Sequence, residues 1–251
     1  MTSRRLAVLG ALAGALVAAG CGGGDRSPDS LRGAELAPAT APVTTATVPP
    51  AAPAEPQGPL GARLKRKVAL RDAPDGKVVA ALTTKTRWGS PRVLAVVEQR
   101  TGWLGVLSEH RPGKVGWIPG EAAELLLEPW SLHIDLSARR ITVRRDGKVV
   151  RRMAAAVGAP GSPTPKGRFG VTDTLRLTGD GPYGCCAIAL TARQRSIPQG
   201  WTGGDRVAIH GTNQPSSIGR AISHGCLRTA EDDLRWLLAR IPLGSHVDVV
   251  A

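Results

Sequence analysis

Two histidines and a cysteine stand close together near the C-terminus. The stretch reads His210-Gly211-Thr212, then Pro215, Ile218-Gly219, and Ser223-His224-Gly225-Cys226-Leu227-Arg228. A thiol attacks a carbonyl well only as thiolate, and a free cysteine near neutral pH is mostly protonated. An imidazole nearby takes that proton. His210 and His224 lie sixteen and two positions before Cys226, so both are candidate bases. In an extended segment His224 and Cys226 share one face. Gly225 keeps the approach clear, and its N–H and that of Cys226 are candidate donors to an oxyanion. Thr229 reads as the N-cap of a helix whose positive end faces the thiol. A buried, inert thiol among ordinary histidines is the competing reading. A zinc site on His210, His224 and Cys226 is another.

The elements around these residues are extended. Leu132, Ile134 and Leu136 alternate with His133 and Asp135, as in a half-buried strand. Asp146-Gly147 between two apolar runs is a hairpin signal. Gly184–Leu190 reads as a strand with Cys186, Ile188 and Leu190 on one face and Cys185, Ala187 and Ala189 on the other. The two adjacent cysteines therefore read as small apolar residues on opposite faces. A two-residue ring disulfide is the alternative. Val207–His210 and Val247–Val250 are further strands, and Leu234, Leu237 and Leu238 form the apolar stripe of the helix. Upstream, the runs 68–70, 78–82, 93–97, 103–107 and 115–119 are strands about ten residues apart, as in a small β-barrel.

The first sixty residues contain no aromatic residue, so the foldable mass begins near residue 61. Arg4-Arg5, an apolar run to Ala19 and small residues up to Cys21 have the layout of a secretory signal. The run is short for a membrane span. Gly, Pro, Ala, Thr and Ser dominate from there to residue 60, a composition that buries no core. The net charge is +13, from 33 basic and 20 acidic residues. It favours an anionic partner, and export excludes nucleic acid as the working one.

Three resemblances follow from these residues. Ala18-Ala19-Gly20-Cys21 resembles a lipoprotein signal, which implies lipidation of Cys21 and anchoring to the outer face of the cell membrane. The run from Gly102-Trp103-Leu104 to Gly116-Trp117-Ile118-Pro119 is similar to bacterial SH3-like domains. The His-Gly-Thr to Ser-His-Gly-Cys string, with Gly161–Phe169 upstream, resembles the L,D-transpeptidases over roughly residues 130–251. The expected organisation is a signal peptide (1–20), a linker (21–60), an SH3-like barrel (61–128) and a catalytic domain (129–251). The expected fold class is mainly β, with an L,D-transpeptidase-type sandwich or barrel and few short helices.

The third resemblance implies an enzyme that joins peptidoglycan stem peptides 3→3 through a thioester on Cys226, releasing D-Ala. It implies His210 as base, its other ring nitrogen held by a carbonyl such as that of Gly211. His224 shapes the site or acts as alternate base, and the Gly225 and Cys226 amides receive the oxyanion. Ser223, Gly211, Thr212, Tyr183 and Arg228 are candidate substrate contacts. Arg228 pairs with a stem carboxylate or, alternatively, bridges to Glu231 or Asp232. Carbapenems are expected inhibitors. No metal or cofactor is required, and a monomer is expected. Hydrolysis at the same site (an L,D-carboxypeptidase) and a non-catalytic wall-binding lipoprotein are the alternatives.

Overall fold

A computed structural model describes residues 58–178, 181–196 and 204–251. The signal segment, Cys21 and nearly all of the linker lie outside the described residues. The first part consists of β1 (Leu60–Leu64), β2 (Val68–Arg71), β3 (Val78–Leu82), β4 (Val93–Arg100), β5 (Trp103–Leu107), β6 (Val115–Pro119) and β7 (Ala123–Leu127). They form one antiparallel sheet in the order β3-β2-β6-β5-β4-β1-β7. Its inward residues, among them Leu70, Leu82, Leu94, Val106 and Ile118, make a core of their own. β1 carries little alternation signal, yet it is held inside the β7 edge by pairing with both β4 and β7. Trp117 is buried, with the Arg100 guanidinium 4.5 Å from its ring.

The second part consists of β8 (Trp130–Asp135), β9 (Arg140–Arg145), β10 (Lys148–Ala154), β11 (Val157–Gly158), β12 (Gly167–Arg176), β13 (Cys186–Arg193), β14 (Arg206–His210), β15 (Ala221–Ser223), β16 (Leu227–Arg228), α1 (Glu231–Leu238) and β17 (His246–Val250). Eight of these strands form a mixed sheet in the order β10-β9-β8-β17-β12-β13-β14-β16. The β9–β10 hairpin turns at Asp146 (φ 50°) and Gly147 (φ 73°). Two consecutive positive φ values make the turn whose twist matches the flanking strands. β13 is buried along seven consecutive residues, so both of its faces are covered and it reads as a continuous apolar run. Ile188, Leu190, Ile209, Leu227, Phe169, Leu234 and Leu237 join one core. Each side chain of this size stabilises the fold by about 1.5–3 kcal/mol on burial.

Two expectations change here. The helix begins at Glu231 after Ala230, with no side-chain cap. Thr229 instead donates its hydroxyl to the Ala154 carbonyl at 3.0 Å, which ties the helix entry to the end of β10. Cys185 and Cys186 are joined as a disulfide. Cys185 precedes β13, so strand alternation does not separate the two sulfurs. Cys226 is the free cysteine among the described residues.

Candidate active site

β14 and β16 run parallel, with Ile209 opposite Leu227 and His210 opposite Arg228. Side chains alternate along a strand. Ile209 and Leu227 therefore enter the main core, while Ala208, His210, Cys226 and Arg228 share the other face. β13 extends that face, with Ala187 opposite His210 and Ala189 opposite Ala208. Small residues at these positions leave room for a functional group. Ala187, Ala208 and Cys226 pack together there.

The Cys226 sulfur accepts the Ala208 N–H at 3.4 Å and faces the Arg206 carbonyl at 3.9 Å. It is 7% exposed. Burial pushes the thiol above its usual range, while the Ala208 N–H and the Arg228 charge act the other way. His210 is 3% exposed. Its Nδ1 donates to the Gly211 carbonyl at 2.6 Å, which leaves Nε2 with the lone pair. The Tyr183 ring packs edge-on against it, centroids 4.7 Å apart. Burial lowers the imidazole to about 4; the Gly211 carbonyl opposes this and Arg228 adds to it. The resting site thus holds a neutral thiol and a neutral imidazole, not a standing ion pair. No hydrogen bond joins Nε2 to the sulfur at rest. Such contacts often tighten only when substrate binds.

The wall beside the thiol is set by Ser223. Its hydroxyl donates to the Cys226 carbonyl and accepts the Gly225 N–H at 3.1 Å. The Gly225 amide is therefore already engaged, which removes it as a standing oxyanion donor. Ser223 is 1% exposed, and Gly211 and Thr212 are buried as well, so all three belong to the frame around the thiol. Thr212 accepts the Gln214 N–H at 3.0 Å. Gly225 has φ +107°, and a Cβ there would lie 2.9 Å from Gln194 Cγ. That left-handed turn breaks the extended geometry expected between His224 and Cys226. His224 is exposed while Cys226 is buried, and no hydrogen bond links them. The same separation scatters the three residues of the zinc reading. Among the described residues no three His, Cys, Asp or Glu side chains are grouped to hold a metal.

Arg228 is half-buried, and its Nε has no hydrogen-bond partner among the described residues. Its charge acts on Tyr183, His210 and Cys226 alike, so the guanidinium faces the site. The expected alternative, a bridge to Glu231 or Asp232, is not formed among the described ion pairs. Glu231 instead accepts the Cys185 N–H at 3.1 Å and fills the space above Gly184 and Gly211, where a Cβ would come within 1.8 and 2.0 Å of its carboxylate. With Asp232 and Asp233 it also offsets the positive end of α1.

Several residues that position the site carry no motif. Gln194 packs on Gly225 and donates to the Pro163 carbonyl. Ser162 donates to the Ser223 carbonyl at 3.0 Å. Ala208 and Arg206 act on the sulfur through backbone groups. Ser162 and Pro163 differ in that they lie in the Gly161–Phe169 segment of the resemblance, and the bond from Ser162 brings that loop against the Ser223 end of the site. Tyr183 flanks a cleft of about 440 Å³ that also includes Arg176, Leu177 and Gly184.

The family model of the L,D-transpeptidase catalytic domain matches residues 129–249. YqjB of Bacillus subtilis, named as an L,D-transpeptidase, is 30% identical over 122 residues, 45% of this chain and 67% of that protein. YkuD of the same organism is 30% identical over 121 residues, 48% of this chain. The chain spans 66% of YkuD's length, just under two thirds. A solved L,D-transpeptidase from Mycobacterium smegmatis aligns with a TM-score of 0.42 at 20% identity, covering 73% of this chain and 99% of that one.

Proposed function

Because the chain belongs to the L,D-transpeptidase family, we propose that Cys226 carries an acyl group between peptidoglycan stem peptides. The observation that supports this most is the shared sheet face. Among the described residues it sets the free thiol, a histidine of fixed tautomer and a guanidinium without a carboxylate partner side by side. On this reading His210 Nε2 takes the Cys226 proton as the sulfur attacks the carbonyl of the third stem residue. The peptide C–N bond breaks, the proton passes to the departing D-Ala amine, and a thioester remains. A side-chain amine of a second stem attacks that thioester, gives up a proton to His210 and forms the 3→3 link; the thiolate leaves and is reprotonated. Arg228 pairs with a stem carboxylate, for which a guanidinium offers two parallel hydrogen bonds. Tyr183 forms the wall over the histidine.

The finer organisation belongs to the same proposal. The separate core of the seven-stranded sheet supports an SH3-like domain over 61–128 and a catalytic domain over 129–251. Lipidation at Cys21 places the protein on the outer face of the membrane, working as a monomer. The test is to incubate the protein with a tetrapeptide muropeptide and identify products by mass. A cross-linked dimer with loss of D-Ala supports transfer. A tripeptide alone assigns a carboxypeptidase. No product, together with no meropenem adduct that Cys226→Ala abolishes, overturns the thiol chemistry.

A further inference from the structure

A second cleft, of about 460 Å³, lies between the turn after β5 and the loop that enters β12. Its charged lining is Arg111, Lys114, Lys166, Arg193 and Arg195 together with His110, and it contains no Asp or Glu. Arg193 is paired, with Asp205, and donates Nε to the Glu109 carbonyl at 2.8 Å. Arg111, Lys114, Lys166 and Arg195 have no ion-pair partner among the described residues. The Arg111 Nε is buried and has no acceptor. Two carboxylates reach the lining from outside it, Asp205 on Arg193 and Glu109 at 3.6 Å from the His110 Nε2; the four remaining cations repel one another with no such partner, a repulsion that an anion in the recess would relieve. A lone carboxylate is satisfied by one bidentate arginine. Several separate cations around one recess suit a tetrahedral oxyanion, which accepts from several directions at once.

We propose that this cleft binds a phosphate group, as a phosphomonoester or phosphodiester, at a site separate from the thiol. Gln194 joins the two. It lies between Arg193 and Arg195 in the chain, packs on Gly225 and donates to the Pro163 carbonyl, just before Pro165 and Lys166 of the cleft. A phosphate held here tethers its bearer within reach of the candidate active site. The inference rests on the geometry of the cleft and stands whether or not the thiol transfers peptides.

The probe is inorganic pyrophosphate, titrated into the full-length protein by calorimetry at constant ionic strength. Citrate and vesicles of anionic phospholipid serve as comparison arms. Saturable pyrophosphate binding at least tenfold tighter than citrate is expected. Arg111→Ala with Lys166→Ala should weaken it at least tenfold. Lys166→Ala with Arg195→Ala, both on exposed residues, should weaken it about threefold to tenfold without threatening the fold. Meropenem acylation of Cys226 should stay within twofold in both variants. Binding to neither pyrophosphate nor vesicles, equal binding of citrate, or undiminished binding in the exposed double variant would each overturn the site; binding to vesicles alone that the exposed double variant weakens would support it and assign a lipid phosphodiester as the ligand. A wild type that binds pyrophosphate but never acylates overturns the transpeptidase reading and leaves this site intact.

Discussion

The buried imidazole makes a quantitative claim about stability against pH. His210 titrates at about 4 in the folded protein and near 6.5 in the unfolded chain. Its folded pKa is depressed, so the unfolded state binds the proton more readily. The contribution is intact above pH ~6.5 and is lost as pH falls toward ~4. Each pKa unit is worth about 1.4 kcal/mol. Integrating between the two values gives a loss of about 2 kcal/mol at pH 5 and about 3 kcal/mol at pH 4, against almost nothing at pH 7. Glu128 runs the other way. Burial raises its carboxyl to about 7, so its contribution is present below pH ~4.5 and is lost as pH rises through ~7. The two effects offset each other in the wild type, and total stability is the wrong quantity to follow. The useful quantity is the difference between wild type and His210→Gln in urea unfolding at pH 7, 5 and 4. Glutamine carries no titratable proton, so the difference should shift by about 3 kcal/mol across this range while Glu128 cancels. A difference flat to within about 0.5 kcal/mol would refute the burial argument, and with it the neutral resting base.

Three further outcomes follow from the same geometry. Alkylation of Cys226 by iodoacetamide should rise about tenfold per pH unit from 6 to 8, because burial keeps the thiol above its usual range; a rate independent of pH would reveal a standing thiolate. Ser223→Ala removes the bonds to the Cys226 carbonyl and the Gly225 N–H inside a buried frame; chemical unfolding should show a loss of about 1–3 kcal/mol, and meropenem acylation should slow. Gly225→Ala meets Gln194 Cγ at 2.9 Å and a backbone at φ +107°; a melting temperature within a degree of wild type would show that this turn relaxes freely.

Much of the fold was legible in local pattern. Alternation marked the core strands, and Asp146-Gly147 marked the hairpin because only residues that tolerate positive φ close so short a turn. Residue type marked His210 and Cys226 as candidate partners, but the shared face expected of His224 and Cys226 was not realised, because Gly225 turns left-handed between them. β1 was not legible, because its place is set by pairing with β4 and β7 far along the chain. The Thr229 cap was misread for a related reason: a hydroxyl takes whichever acceptor the tertiary fold brings nearest, here the Ala154 carbonyl.

Residue types and their order made one chemistry available: a thiol in reach of histidines, a chain-level excess of positive charge, and strands able to carry both. How that chemistry is poised follows from folding. It buried Cys226 and His210 until neither holds charge, gave the Gly225 amide to Ser223, turned Glu231 away from Arg228, and gathered distant cations around a cleft. Desolvation and hydrogen-bond competition depend on every group that packs nearby, and most of those groups are remote along the chain. Residue order specifies the reactive groups, while their protonation and partners are properties of the assembled fold.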